Sequence, residues 1–221
     1  MKQMKQWPGI RRLFAYGAWM ALIQAITLLF ATPVLAREKL VLAFGDSLTA
    51  GYGLKPNESF PAQLQTALKT GGIPARVHNG GVSGDTTAAG KARLAFVLAG
   101  LKAKPDLVIL TLGANDMLRG IKPAQTRANL DAMMVELKRR GIRVVIGGML
   151  ASPNLGKAYQ SQFDPIFPAL ARKHGAKLYP FFMKGVAANR SLLIADQMHP
   201  NAKGVAVIVR GIYSVVAGSL R

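Results

Sequence analysis

Three polar residues in this sequence are of the types that together catalyse acyl transfer. An apolar run at residues 41–44 ends in Gly-Asp-Ser, the pattern of a buried parallel strand that presents one hydroxyl, that of Ser47, at its carboxyl end. A serine hydroxyl needs a general base, and the base needs an orienting group. Of the three histidines, His199 has a carboxylate, that of Asp196, in the same turn. We therefore predict that Asp196 orients His199, which takes the proton of Ser47.

Each part of this pattern also has a plainer interpretation. A lone Gly-Asp-Ser is often a turn, and Asp-x-x-His is often a surface pair or part of a metal site. A metal site needs further histidines or carboxylates at ligand spacing, which the sequence does not supply, so we expect neither a metal nor a cofactor. His174 precedes a glycine at a predicted helix end, where we expect it to cap carbonyls or face water.

Donors for the oxyanion of an acyl-transfer intermediate are the next requirement. The backbone N–H of Ser47 is one, Gly84 lies in a glycine-rich turn after a second strand, and Asn115 follows a third strand with a side-chain amide. Gly84 can instead serve only to permit the turn, and Asn115 can cap local backbone. Because the three residues follow three separate strands, we favour one shared cavity at the carboxyl edge of a sheet.

The elements that must position these residues alternate between strand and helix patterns. Apolar, β-branched runs predict strands at 40–44, 75–78, 106–112, 143–149 and 177–179. Helical spacing predicts helices at 59–68, 86–98 (with Asp85 as N-cap), 123–139, 158–173 (interrupted by Pro165 and Pro168) and 205–216. This alternation predicts an α/β fold in one domain, 37–221, with a parallel sheet, helices on both faces and right-handed crossovers.

Four sequence blocks, in order, resemble the SGNH (GDSL) hydrolase superfamily. They are Gly-Asp-Ser-Leu at 45–48, Val-Ser-Gly-Asp at 82–85, Gly-Ala-Asn-Asp at 113–116 and Asp-Gln-Met-His-Pro at 196–200. The resemblance covers essentially all of 37–221, and four ordered blocks are far more specific than any one. The α/β-hydrolases share the order Ser, Asp, His, but their Gly-x-Ser-x-Gly elbow is absent, since Thr49 stands two residues after Ser47.

This resemblance implies a three-layer α/β/α sandwich around a flavodoxin-like, five-stranded parallel sheet. It implies Ser47, Asp196 and His199 as the catalytic residues, and Ser47, Gly84 and Asn115 as the oxyanion hole. Within the superfamily the chain is most similar to periplasmic esterases of the thioesterase and lysophospholipase type. Ala114 departs from a frequent second glycine, and Gln197-Met198 departs from a frequent Gly-Ile before the histidine.

The substrate is expected to meet an apolar cleft bordered by residues 116–120 and 149–159. Its predicted contacts are Asp46, Met117, Leu118, Met149, Leu150 and Leu155, with Tyr159 beside them. Such a lining suits an acyl chain, so we predict a serine esterase for lysophospholipids and aryl or fatty acyl esters, with thioesters also accepted. The alternatives are a carbohydrate O-acetyl esterase with a short, polar cleft, and a non-catalytic lipid- or carbohydrate-binding domain on the same scaffold.

The net charge of +19 bears on partners. Residues 37–221 hold 25 basic and 10 acidic side chains, spread singly along the chain without interleaved aromatic residues or a recognition motif. That distribution argues against nucleic-acid binding. It favours attraction to an anionic membrane surface instead. The oligomeric state has no signature in the sequence.

Residues 1–36 have the three parts of a secretory signal. A basic start is followed by an apolar region and by Ala-Thr-Pro-Val-Leu-Ala, so we predict cleavage before Arg37. The apolar region is long enough that an uncleaved membrane anchor is the alternative. Either way, the domain is expected to be periplasmic or secreted. The chain has no cysteine, so disulfides and thiolate metal sites are excluded.

Overall fold

The computed structural model describes residues 37–221, and the predicted signal or anchor at 1–36 lies outside them. Five strands and eight α-helices alternate along this part of the chain. The strands are β1 (Lys39–Gly45), β2 (Ala75–Gly81), β3 (Leu107–Thr111), β4 (Arg143–Gly147) and β5 (Lys177–Tyr179). The helices are α1 (Ser47–Ala50), α2 (Phe60–Thr70), α3 (Thr87–Gly100), α4 (Ala114–Leu118), α5 (Pro123–Arg139), α6 (Gly156–Phe163), α7 (Ile166–His174) and α8 (Ala202–Leu220).

The five strands form one parallel sheet in the order β2-β1-β3-β4-β5. In the central strands Val41 pairs with Val77 on one side and with Leu107 on the other. All five residues of β3 are buried, because helices cover both faces of the sheet. The predicted flavodoxin-like parallel sheet is therefore confirmed.

The strand order explains how the helices divide into two layers. The chain moves from β1 to β2 in one direction and from β2 through β3 and β4 to β5 in the other. Right-handed crossovers consequently place α2 on one face and α3, α5 and α7 on the other. The helix contacts agree, since α2 packs against α8, whereas α5 packs between α3 and α7. The three-layer α/β/α sandwich follows from these two layers.

Most helix predictions are confirmed, with differences at the ends. The helix at Pro123–Arg139 has the predicted bounds, whereas the predicted 158–173 helix is two helices that part at Pro165. Thr86, not Asp85, is the N-cap of α3, because its hydroxyl accepts the backbone N–H of Ala89. Asp85 instead pairs with Arg93. The short helices α1 and α4, which carry Ser47 and Asn115, were not predicted.

Helix α8 is long and apolar enough to cross a membrane by length and composition alone. Half of its apolar window is buried in the fold, and its residues Val205, Ile208 and Ile212 have almost no solvent exposure. The apolar side of α8 thus belongs to the core. Aromatic rings also contribute to the core, and Phe60 of α2 packs edge-on against Phe182 with ring centroids 5.0 Å apart.

Close backbone approach at the carboxyl edge sets the position of α1. A Cβ atom on Gly81, the last residue of β2, would lie 2.3 Å from the backbone nitrogen of Ala50 and 2.7 Å from its Cα. Only glycine leaves room there, because the atoms in the way belong to backbone and not to a flexible side chain. The end of β2 therefore supports the helix that begins at Ser47.

Gly81→Ala should lower the free energy of unfolding by about 1–3 kcal/mol, the usual cost of overpacking, because α1 must shift. Gly100→Ala is the matched control, since a Cβ at this helical residue meets open space. We expect the control to be neutral or to stabilise by up to about 1 kcal/mol. Urea unfolding of both variants measures the difference, and equal free energies would contradict the prediction.

Candidate active site

Ser47 lies where the carboxyl end of β1 turns into α1. It is the first residue of α1, and Asp46 is the N-cap, whose side chain accepts the backbone N–H of Leu48 at 3.0 Å. The first backbone N–H groups of a helix have no partner within the helix. The sequence Gly-Asp-Ser therefore presents the hydroxyl and the backbone N–H of Ser47 at the same edge of the sheet.

His199 bridges Ser47 and Asp196. Its Nε2 lies 2.9 Å from Oγ of Ser47, and its Nδ1 lies 2.6 Å from Oδ2 of Asp196. Tyr52 packs its ring against the imidazole with centroids 4.6 Å apart, which restricts rotation of the histidine. The structure thus brings together the three side chains singled out from the sequence.

Backbone hydrogen bonds hold the loop that carries Asp196 and His199. Ile194 accepts the N–H of Gln197 at 3.0 Å and donates its own N–H to the carbonyl of His199 at 2.9 Å. Gln197 has φ = 58°, a left-handed conformation that glycine adopts without strain. Gln197, which stands where related proteins frequently have glycine, is therefore strained. The loop nevertheless keeps its turn through these two hydrogen bonds.

The carboxylate of Asp196 accepts more than the imidazole proton. Its Oδ1 accepts the backbone N–H groups of Met198 at 2.9 Å and His199 at 3.0 Å. The backbone N–H of His199, followed by its side chain and the N–H of Met198, lowers the pKa of Asp196 to about 2. An ionised carboxylate can only accept, so Nδ1 carries the proton and Nε2 directs its lone pair to the Ser47 hydroxyl.

Asn115, near the start of α4, and Gly84, in the loop after β2, lie at the same edge of the sheet. Nδ2 of Asn115 donates to the carbonyl of Asp85 at 3.0 Å, and it lies 3.4 Å from Oδ2 of Asp46. Gly84 has φ = 85°, which explains the glycine. Arg119, at the end of α4, donates to the carbonyl of Gly84 at 2.9 Å and ties the two segments together.

A buried carboxylate, that of Asp116, fixes α4 against α3. It accepts the backbone N–H of Thr87 at 2.7 Å, the hydroxyl of Thr87 at 2.5 Å and the hydroxyl of Thr126 at 3.1 Å. Asp116 has no solvent exposure, and the donors compensate for its lost hydration. The network therefore holds Asn115, the preceding residue, at a set distance from the turn that contains Gly84.

These residues open onto a cavity of about 710 Å³. Ser47, Gly84, Asn115 and His199 all line it, whereas Asp196 lies behind the imidazole. The remaining lining is mostly apolar, and the volume lies within the range usual for small-molecule sites. The apolar residues are Leu48, Tyr52, Ala114, Met117, Leu118, Met149, Leu150, Ala151, Pro153, Phe181, Met183, Ala187, Ala188, Leu193 and Met198.

Four of the six predicted substrate contacts line this cavity: Met117, Leu118, Met149 and Leu150. Leu155 does not line it, because a short 3-10 helix, Pro153–Leu155, carries this residue past the opening. The cavity wall also lacks Tyr159, whose hydroxyl donates to the carbonyl of Ile121.

Sequence reasoning missed a second side of the cavity, formed by Phe181, Met183 and residues 187–188. The first two follow β5 directly, at the carboxyl edge where the site lies, and that position was the available signal. His174 also differs from expectation. It neither caps carbonyls nor faces water, because its Nε2 pairs with Asp131 of α5 at 2.6 Å.

Asp46 is the remaining correction, since it is fully buried beneath the cavity and cannot contact a substrate. Burial, with a smaller contribution from the nearby carboxylates of Asp85 and Asp116, raises the pKa of Asp46 to about 7. The hydrogen bond from the backbone N–H of Leu48 acts in the opposite direction but is outweighed. The Asp46 side chain therefore helps to position Ser47 and Asn115 through its contacts with the backbone of α1 and with the Asn115 amide.

The raised pKa of Asp46 predicts a pH dependence of stability. Because the folded pKa of about 7 exceeds the unfolded value of 3.8, its contribution is fully present below pH 3.8 and is lost as the pH rises to about 7. The slope for one proton is at most about 1.4 kcal/mol per pH unit. Asp46→Asn should remove this decline, which urea unfolding across that range measures. Parallel stability curves for the two proteins would contradict it.

Comparison with known proteins places this site in a family. Residues 43–207 match the GDSL-like Lipase/Acylhydrolase family. Esterase TesA of Pseudomonas aeruginosa is 39% identical over 165 residues, 75% of this chain and 81% of the relative. Thioesterase 1/protease 1/lysophospholipase L1 of Escherichia coli is 34% identical over 161 residues, 73% of this chain and 75% of the relative.

A solved structure of the same family has a similar fold. The crystal structure of AlinE4, an SGNH-hydrolase family esterase, is 51% identical, covers 85% of this chain and 99% of its own, and superposes with a TM-score of 0.72. The family match covers most of the described residues and includes Ser47, Gly84, Asn115 and His199. The chain belongs to the GDSL-like, or SGNH, hydrolase family.

Proposed function

We propose that this protein is a serine esterase that hydrolyses carboxylic esters of acyl chains through an acyl-enzyme formed on Ser47. The observation that carries the proposal is the chain of two hydrogen bonds, 2.9 Å from Ser47 to His199 and 2.6 Å from His199 to Asp196, at an apolar cavity. The names of the esterase relatives support the reaction class.

In the first step Oγ of Ser47 attacks the ester carbonyl carbon while Nε2 of His199 takes the hydroxyl proton. Asp196 stabilises the resulting imidazolium through the Nδ1 hydrogen bond. The carbonyl oxygen becomes an oxyanion, for which the N–H groups of Ser47 and Gly84 and the amide of Asn115 are the proposed donors. Nδ2 of Asn115 carries two N–H groups; its hydrogen bond to Asp85 is 3.0 Å long, and its contact with Asp46, at 3.4 Å, is weak enough for the oxyanion to replace it.

The tetrahedral intermediate then collapses. The bond to the leaving oxygen or sulfur breaks, His199 returns its proton to that atom, and the acyl group remains on Ser47. A water molecule attacks the acyl-enzyme while His199 takes one of its protons, and a second tetrahedral intermediate releases the free acid. Serine and imidazole both return to their starting protonation states. No cofactor takes part in this sequence.

Ser47→Ala should lower hydrolysis of p-nitrophenyl butyrate by at least about 10³-fold, because no other group replaces the nucleophile. The same variant should lose labelling by a fluorophosphonate probe, which reacts with an activated serine. Ser83→Ala is the matched control, since Ser83 lines the same cavity beside Gly84. Ser83→Ala should keep both ester hydrolysis and labelling by the probe. Labelling that persists in Ser47→Ala would show that another residue is the nucleophile, and absence of turnover in the unaltered protein would favour a binding domain.

The cavity lining supports acyl chains as the substrate class. Met149, Met183 and Leu193 are buried side chains that face the cavity without a polar atom able to recognise a sugar. We propose lysophospholipids and aryl or fatty acyl esters as substrates, with thioesters accepted by the same chemistry. A carbohydrate O-acetyl esterase would need convergent polar groups in place of these residues.

A series of p-nitrophenyl esters from acetate to octanoate tests this choice. Each methylene that enters the apolar cavity should raise kcat/KM by about 4-fold until the cavity is filled, since burial of one methylene contributes about 0.8 kcal/mol. Met149→Ala, in the cavity wall, should flatten the series, whereas Met134→Ala in α5, which does not line the cavity, should not. A sharp preference for acetate would contradict the proposal and favour the carbohydrate esterase.

We also propose that the enzyme acts outside the cytoplasmic membrane, in a periplasm or after secretion. The basic and apolar pattern of residues 1–36 supports this location. Cell fractionation followed by N-terminal sequencing would establish both the compartment and whether the chain begins at Arg37.

A further inference from the structure

The exposed apolar side chains of this protein concentrate at the opening of the active-site cavity. Within residues 37–221, seven large hydrophobic side chains are exposed, and four of them line the cavity. We call these four the rim: Tyr52, Leu118, Leu150 and Met198, each 45–52% exposed. Exposed apolar groups that are contiguous mark an interaction surface, whereas single ones need no explanation.

The rim is distinct from the part of the cavity that would hold an acyl chain. The inner wall contains Met149, Met183 and Leu193, each less than 9% exposed. The rim side chains stand outside it: Tyr52 follows α1, Leu118 ends α4, Leu150 follows β4, and Met198 precedes His199. Since they come from separate segments around one opening, they form an apolar collar that faces solvent.

The loops around this opening also carry an excess of positive charge. The acidic residues on them each have partners within the fold: Glu58 accepts the backbone N–H of Lys55, Asp85 pairs with Arg93, Asp116 accepts threonine hydroxyls, and Asp196 pairs with His199. Six basic side chains close in sequence to the lining residues are exposed, and they are Lys55, Arg119, Lys122, Lys157, Lys184 and Arg190. A collar of apolar groups flanked by cations complements a surface that is anionic outside and apolar beneath.

We propose that the rim docks on an anionic phospholipid bilayer, with its apolar side chains among the upper acyl chains and the surrounding basic side chains at the phosphates. In this orientation the cavity opens onto the lipid phase, so an acyl chain enters without first crossing water. The delivery of substrate rests on the proposed esterase function, but the docking itself does not. Each lysine or arginine near an anionic surface raises the partition coefficient of the protein between water and membrane about fivefold.

Vesicle sedimentation of the full chain carrying Ser47→Ala tests the docking without turnover. The vesicles are phosphatidylcholine alone, or phosphatidylcholine with about one-third phosphatidylglycerol, which gives the surface its negative potential. One variant, the opening variant, replaces Lys157, Lys184 and Arg190 with glutamine; these residues lie a few positions along the chain from Pro153, Met183 and Ala188 of the cavity lining. The matched variant replaces Lys138, Arg143 and Lys177 with glutamine. Arg143 and Lys177 begin β4 and β5, at the opposite edge of the sheet.

The opening variant should bind the anionic vesicles about 10²-fold more weakly, from about fivefold for each of three cations, and the matched variant should lose far less. Both keep residues 1–36, so any binding by that segment is the same in each. Equal losses in the two variants would mean that only overall charge matters and would overturn the proposal. Unchanged binding by the opening variant would overturn it as well.

The chain has no cysteine, which permits a second test of orientation. An environment-sensitive dye on Met198→Cys, at the rim, should shift to the blue on anionic vesicles. The same dye on Phe96→Cys should not shift, because Phe96, 81% exposed on α3, lies away from the opening. A shift at position 96 but not 198 would overturn the proposed orientation. Hydrolysis of p-nitrophenyl acetate without vesicles tests the esterase function separately, so the two proposals fail independently.

Discussion

One hydrogen bond, from the hydroxyl of Ser47 to Nε2 of His199, depends on nearly all of the fold, since it joins residues 152 positions apart. Its two partners come from loops at opposite ends of the domain sequence. The parallel sheet makes their meeting possible, because the carboxyl ends of all its strands lie at one edge. The chain changes direction between β1 and β3, and the loops after these two strands diverge there. Ser47 and Asn115 follow those strands and flank the resulting crevice.

Buried carboxylates give this edge its rigidity. Asp46 caps α1, Asp85 pairs with Arg93, and Asp116 accepts three hydrogen bonds from threonines. Arg93 also donates to the carbonyl of Gly45 and lies 4.1 Å above the ring of Phe44, so it connects the turn after β2 to β1. A buried polar group that lost its partner would be costly, and this cost restricts the loops to one arrangement. The oxyanion donors proposed here are therefore positioned before a substrate arrives.

Much of the fold could be predicted because local pattern and tertiary environment agree. The apolar run at 107–111 is buried on both faces, and the spacing of Leu130, Met134 and Leu137 matches the buried side of α5. Predictions failed where a long-range contact decided the outcome. Asp85 has the residue type of an N-cap, yet Arg93 takes its carboxylate and leaves the cap to Thr86. His174 meets Asp131 only because α7 packs on α5.

By itself, the sequence determined which chemical groups are available and the order in which strands deliver them. A hydroxyl after the first strand, an amide after the third and an acid three residues before a histidine are local facts. Only the tertiary structure decided distances and surfaces. It placed Asp46 beneath the site instead of in it, turned Leu155 and Tyr159 away from the cavity, and added a wall from residues after β5. The physical reason is that burial and cavity shape depend on how helices from distant segments pack, and periodicity within one segment carries no information about its neighbours.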